Sequence, residues 1–160
     1  MKLTRRTLLA SAAAAAVASP VLASPNIADM VVVFKNSRRM VLYNNGTPFR
    51  DYDIGLGWAP TGTKEFEGDG RTPEGSYYIN RRNPNSAFHL SLGISYPDPN
   101  QIAAAAANGR NPGGEIFIHG GHGNSRQSGD WTAGCIAVSD QEIEEIWQMV
   151  PNGALVVIQP

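Results

Sequence analysis

The chain has 160 residues, 42% of them hydrophobic and 17% charged, with a formal net charge of −1. That is the composition of a soluble globular protein and not of a disordered or membrane-spanning one, and the length suits one ordinary core with no second domain. Setting aside the basic residues Lys2, Arg5 and Arg6 brings the balance to about −4, which argues against nucleic acid as a partner.

Residues 1–23 read as a signal peptide. Lys2, Arg5 and Arg6 precede an apolar run over 8–17, and Val21-Leu22-Ala23 offers a small-residue cleavage site. The Arg5-Arg6 pair ahead of an alanine-rich stretch resembles a twin-arginine export signal, with an ordinary export signal as the alternative. The apolar run is shorter than the ~20 residues that cross a bilayer. The expectation is an exported, periplasmic or cell-envelope protein, monomeric and without a membrane span, whose domain covers residues 24–160.

Along that domain short strands alternate with turns. β-branched and apolar residues over 30–35 and 40–44 flank a four-residue turn and predict a hairpin. Asn45-Gly46 supplies the next tight turn, and Tyr52, Ile54 and Leu56 alternate with Asp51 and Asp53 in a half-buried strand over 49–56. A Gly-rich loop over 57–70 follows, then a strand over 76–81. The cleanest alternation runs over 88–96, with Phe88, Leu90, Leu92, Ile94 and Tyr96 facing the core and His89, Ser91, Gly93 and Ser95 facing away. Asp98 and Pro99 open a short alanine-rich helix that ends near Gly109. A strand over 115–119 delivers His119 at its tip. Ser139 and Glu142 form a capping box for a helix reaching Val150, with Ile143, Ile146, Trp147 and Val150 on its core face. The chain closes with a strand over 154–159. The predicted fold is mainly β, a sandwich or barrel, with two short helices outside it.

Chemistry concentrates in the segment over 118–138, which holds His119, His122 and the chain's single cysteine, Cys135. An exported protein usually pairs its cysteines, so an unpaired thiol is either a buried filler or a working group. A cysteine attacks carbonyls as the thiolate and needs a neighbour that takes its proton; a histidine does this at neutral pH. Sixteen residues separate His119 from Cys135, and the glycines between them make a return of the chain easy. A turn through Ala133, Gly134 and Cys135 would present main-chain N–H groups to a developing oxyanion.

"IHG", a spacer and "TAGCIAVSD" resemble the active-site signature of the L,D-transpeptidase (YkuD-like) catalytic domain, and the segment over 68–97 resembles that family's upstream region. The resemblance implies an L,D-transpeptidase fold and a peptidoglycan acyltransferase that forms a cysteine thioester on tetrapeptide stems, without metal or organic cofactor. Residue by residue, Cys135 matches the nucleophile, His119 the general base and acid, Gly120 the residue whose carbonyl orients His119, and Gly134 the oxyanion-hole backbone. Thr132 and Ala133 belong to the signature beside the cysteine, and Trp131, His122, Arg126 and His89 are candidate substrate contacts. Two positions depart from the commoner signature: Ala133 stands where it carries a histidine, and Ala137 where it carries an arginine or asparagine. The same thioester chemistry would serve an L,D-carboxypeptidase, or an amidase acting at diaminopimelate.

Other classes stay open on the residues alone. His119, His122 and Cys135 could be three ligands of a zinc hydrolase, or the domain could bind cell wall without catalysis. Cysteine proteases fit less well, because the papain-like order of Cys and His is reversed here and the caspase-like spacing is ~50 residues.

Overall fold

The structure is a computed structural model that describes residues 26–121 and 129–160. The segment read as a signal peptide, and the candidates His122 and Arg126, lie outside the described residues.

Among the described residues, eight strands and two helices follow one another as β1 (Met30–Phe34), β2 (Arg39–Asn44), β3 (Thr47–Asp53), β4 (Gly75–Ser86), β5 (His89–Ile94), α1 (Pro99–Ala107), β6 (Phe117–His119), β7 (Ile136–Ala137), α2 (Asp140–Met149) and β8 (Leu155–Gln159). The strands form one sheet in the order β3-β2-β1-β8-β4-β5-β6-β7. Its two ends approach each other: Gly55, just past β3, exchanges both main-chain hydrogen bonds with Ala137 of β7 at 2.9 Å, and Gly57 bridges to Thr132. Closure of this kind removes exposed edges. The mainly β, barrel-like expectation with two helices therefore holds.

Position in the sheet explains each strand's composition. β1 lies between β2 and β8, and Val31, Val32 and Val33 are all buried, as expected of a strand covered on both faces. β8 pairs in parallel with β1 and antiparallel with β4, so the C-terminal strand completes the sheet's centre. α2 starts on the predicted capping box, Ser139 Oγ accepting from the Glu142 N–H, and buries Ile143, Ile146 and Met149. Trp147 is only partly buried, with the Arg82 guanidinium 4.0 Å above its ring. α1 has both halves of a capping box at Asp98 and Gln101, yet buries only Ala105.

The alternation over 88–96 departs from expectation. Ser91 and Gly93 are as buried as Leu92 and Ile94, because β5 runs between β4 and β6 and α2 packs on it. Phe88, expected in the core, lies outside the strand in the turn before it and is 41% exposed.

The long loop between β3 and β4 is built on two lysines. Lys35, 1% exposed, sends its ammonium to the carbonyls of Gly62 and Thr72 and to the Glu74 carboxylate. Lys64 pairs with Asp69 at 2.9 Å, both nearly fully buried. Asp69 also accepts the N–H groups of Glu65, Phe66 and Arg71. These donors hold its carboxyl below the usual carboxylate range although burial opposes that.

Candidate active site

The site stands on β6 and β7, the two shortest strands. They pair in parallel, Ile118 with Ile136 and His119 with Ala137, and parallel neighbours need a crossover of a dozen or more residues. That requirement accounts for the sixteen-residue interval between His119 and Cys135. Cys135 directly precedes β7, so the register sets it level with Phe117. Side chains alternate along strands, so Cys135 and His119 share one face, roughly 7 Å apart along it. The opposite face, carrying Ile118 and Ile136, is sealed in the core.

His119 is 2% exposed. Its Nδ1 lies 2.6 Å from the carbonyl oxygen of Gly120. A carbonyl only accepts, so the neutral ring carries its proton on Nδ1 and leaves Nε2 as the basic nitrogen. The Gly121 N–H donates to Asp140 Oδ1 at 2.6 Å, at the start of α2, which ties down the backbone after the histidine. A Cβ at Gly120 would come 2.6 Å from the same oxygen.

The turn before Cys135 is organised by Thr132, which is buried. Its hydroxyl donates to the Cys135 carbonyl at 2.7 Å and accepts the Gly134 N–H at 3.1 Å. Its main chain is bonded on both sides, to Leu56 and Trp58. Gly134 has φ +133°, and a Cβ there would stand 2.7 Å from the Arg71 carbonyl; no other residue fits this close approach. The Gly134 N–H, expected to face a reacting oxygen, is directed here to Thr132.

Cys135 is half-buried, and its Sγ donates to the Glu115 carbonyl at 3.4 Å. Burial pushes the thiol's pKa up, the Phe117 N–H and the Lys64 cation pull it down, and the Glu115 carboxylate pushes it up again; the net direction is up. A thiol in this state needs a base to become a nucleophile. Beside it opens a cleft of about 500 Å³, lined among others by Lys64, Glu67, Asn111, Glu115 and Ala133.

The remaining candidates separate. Trp131 packs edge-on to His119, centroids 5.8 Å apart, and belongs to the site's wall. Ala133 lines the cleft, whereas Thr132 is spent inside the turn. His89 lies at Glu144 of α2, with its Nε2 2.8 Å from the carboxylate. Asp130, next to Trp131, grips Arg38 through both carboxylate oxygens and accepts the Leu56 N–H at 3.0 Å, which brings the returning chain back to the sheet. Sequence reasoning missed Phe88, Lys64, Glu115 and Asp140 as parts of the site. Lys64 carried a weak signal, a lysine five residues before an aspartate flanked by Gly68 and Gly70. Among the described residues no three His, Cys, Asp or Glu side chains gather as a metal group; His122, a ligand of the zinc alternative, lies outside them.

The profile of the L,D-transpeptidase catalytic domain (YkuD) matches residues 28–158. The YafK protein of Escherichia coli (strain K12) is 32% identical over 137 residues, covering 81% of this chain and 50% of its own length. The chain thus spans about half the length of the curated relatives it matches. The helical cell shape determining protein Pgp2 of Campylobacter jejuni, as its K307A mutant, superposes with TM-score 0.62 at 26% identity over 84% of this chain and 47% of that one. An L,D-transpeptidase of Mycobacterium smegmatis shares the fold alone, with TM-score 0.56 at 13% identity over 82% of this chain and 58% of that one.

Proposed function

The chain belongs to the L,D-transpeptidase catalytic-domain family, and from that premise we propose that residues 24–160 act in the cell envelope, after export, as a cysteine acyltransferase on peptidoglycan stem peptides. Among the described residues no helix is long and apolar enough to cross a membrane. His119 Nε2 takes the Cys135 thiol proton, and the thiolate adds to the carbonyl between diaminopimelate and the terminal D-alanine of a tetrapeptide. As the tetrahedral intermediate collapses, the C–N bond breaks and the leaving nitrogen takes the proton from His119, which frees D-alanine and leaves a thioester. An acceptor amine then gives a proton to His119, attacks the thioester carbonyl and restores the thiol. Main-chain N–H groups at the Gly134-Cys135 turn would carry the oxyanion, the Gly134 N–H turning from Thr132 to do so.

The observation that carries this reading is the β6–β7 register. It supports the pairing of Cys135 with His119, and the Gly120 carbonyl, which only accepts, favours the tautomer in which Nε2 can take a proton. The raised thiol pKa gives the base work to do. Incubation with a carbapenem, an acylating mimic of the donor, should add its mass to Cys135, and Cys135→Ala should take no label and turn over no muropeptide. A Cys135→Ala protein with full turnover ends the mechanism.

One feature supports hydrolysis as a second outcome of the same thioester. Ala133, in place of the commoner histidine, lines the cleft beside Cys135, and its small side chain leaves room for water. The enzyme would then be an L,D-carboxypeptidase, or an amidase at diaminopimelate. Products from defined tetrapeptide muropeptides separate the cases: a cross-linked dimer marks amine transfer, and a tripeptide alone marks hydrolysis.

A further inference from the structure

The turn between β4 and β5 carries an aromatic residue that lies outside the hydrophobic core. Phe88 is 41% exposed, so a large part of its side chain remains open to solvent. Its inner face is nonetheless occupied. The ring centroid stands 4.5 Å from that of the His119 imidazole, with the two planes tilted by 30°. Trp131 meets the same imidazole edge-on, and Phe88 and Trp131 are themselves 6.1 Å apart. His119 therefore has one ring lying along its face and another at its edge, while the Gly120 carbonyl holds one nitrogen.

The placement of Phe88 is over-determined. β5 pairs with β6 so that Ser91 lies opposite His119, which brings the turn just ahead of β5 alongside the histidine. The Phe88 N–H donates to Ser86 Oγ at 3.1 Å, and the adjoining His89 is paired with Glu144 on α2. On the other side, Gly121 has φ +127°, and a Cβ there would stand 2.8 Å from Phe88 Cδ1. Only a residue without a side chain lets the backbone after His119 pass beneath the phenyl ring.

We infer that Phe88 is a positioning residue, whose ring holds the His119 imidazole in the plane that presents Nε2 to the thiol. The inference rests on the reading of His119 as the base. The phenyl face 4.5 Å from the imidazole blocks rotation of the ring about its Cβ–Cγ bond toward Phe88. The offset, tilted contact also suits both protonation states, because a π face attracts the imidazolium that forms in each half-reaction.

The test compares Phe88→Leu with Phe88→Tyr in the purified enzyme on a defined tetrapeptide muropeptide, with His119→Gln as the control. Leucine keeps apolar bulk and loses the flat ring; tyrosine keeps the ring. The expected result is a ~10-fold lower kcat for Phe88→Leu, with KM within two-fold of the parent and an unchanged unfolding midpoint, and near-parent kcat for Phe88→Tyr. Full kcat in Phe88→Leu with an inactive His119→Gln overturns the role of Phe88 and leaves the base in place. Full activity in His119→Gln overturns the base, and this inference with it. A loss confined to KM makes the ring a substrate contact and equally overturns the positioning role, as does a Phe88→Tyr protein as slow as Phe88→Leu.

Discussion

Two regions of the sheet are held by different forces. β1, β2 and β8 pair over five residues each, with Val31, Leu42 and Val156 fully buried between them. β6 and β7 share only two paired positions, and side-chain hydrogen bonds do what the ladder cannot: Asp130 to Arg38, Thr132 to the cysteine turn, Asp140 to Gly121, Lys64 to Asp69. Apolar burial is non-directional and makes the first region stable. Directional bonds make the second region accurate, which is what the proposed nucleophile and base require.

Substitutions should therefore split by region. Leu42→Ala, in the apolar half, should lower unfolding free energy by about 3 kcal/mol, while the folded protein acylates with a carbapenem at within two-fold of the parent rate. Urea titration alongside acylation kinetics would check both. A fall in acylation as large as the fall in stability would show that the halves are coupled.

Thr132→Val keeps shape and removes the hydroxyl that bonds Cys135 and Gly134. It should slow acylation ~100-fold, since small misplacements at a reacting centre cost that much, and destabilise by only about 1–2 kcal/mol. Stopped-flow acylation of the purified variant would measure it. Near-parent rates would remove Thr132 from the positioning apparatus.

The thiol offers a pH test with a defined sign. Burial is the largest cause of its raised pKa, so with the proposed base removed by His119→Gln the thiolate should form only above the usual thiol range. Iodoacetamide labelling of Cys135 should then rise with pH, with a midpoint higher than that of a cysteine peptide. A midpoint below that of the peptide would mean that Lys64 and the Phe117 N–H outweigh burial. The smallest effect belongs to His89→Ala. It breaks an exposed pair with Glu144, worth less than about 1 kcal/mol, and a thermal melt should move by no more than a few degrees.

Much of the fold was legible because local rules decide it. Asn45-Gly46, the Asp98 and Ser139 caps and the β-branched runs acted as read, since a cap or a tight turn involves only residues a few positions apart. The alternation over 88–96 misled because period-two patterning reports one buried face, whereas β5 has neighbours on both edges and α2 upon it. No local signal could show that, nor that Phe88 turns out of the core to lie on His119.

What the sequence by itself determined is the residues of the proposed chemistry and their spacing: one cysteine, a histidine sixteen residues before it, the glycines that let the chain return, and a signature specific enough to name a family. Tertiary structure alone decided the rest. Whether Nδ1 or Nε2 of His119 is basic depends on where the Gly120 carbonyl points. Whether the Gly134 N–H faces a substrate or Thr132, and whether Lys64 reaches the cysteine's cleft, depends on how residues distant in the chain meet. Sequence carries the identity of donors and acceptors, and only the closed sheet sets the ångström-scale distances at which hydrogen bonds and proton transfers take effect.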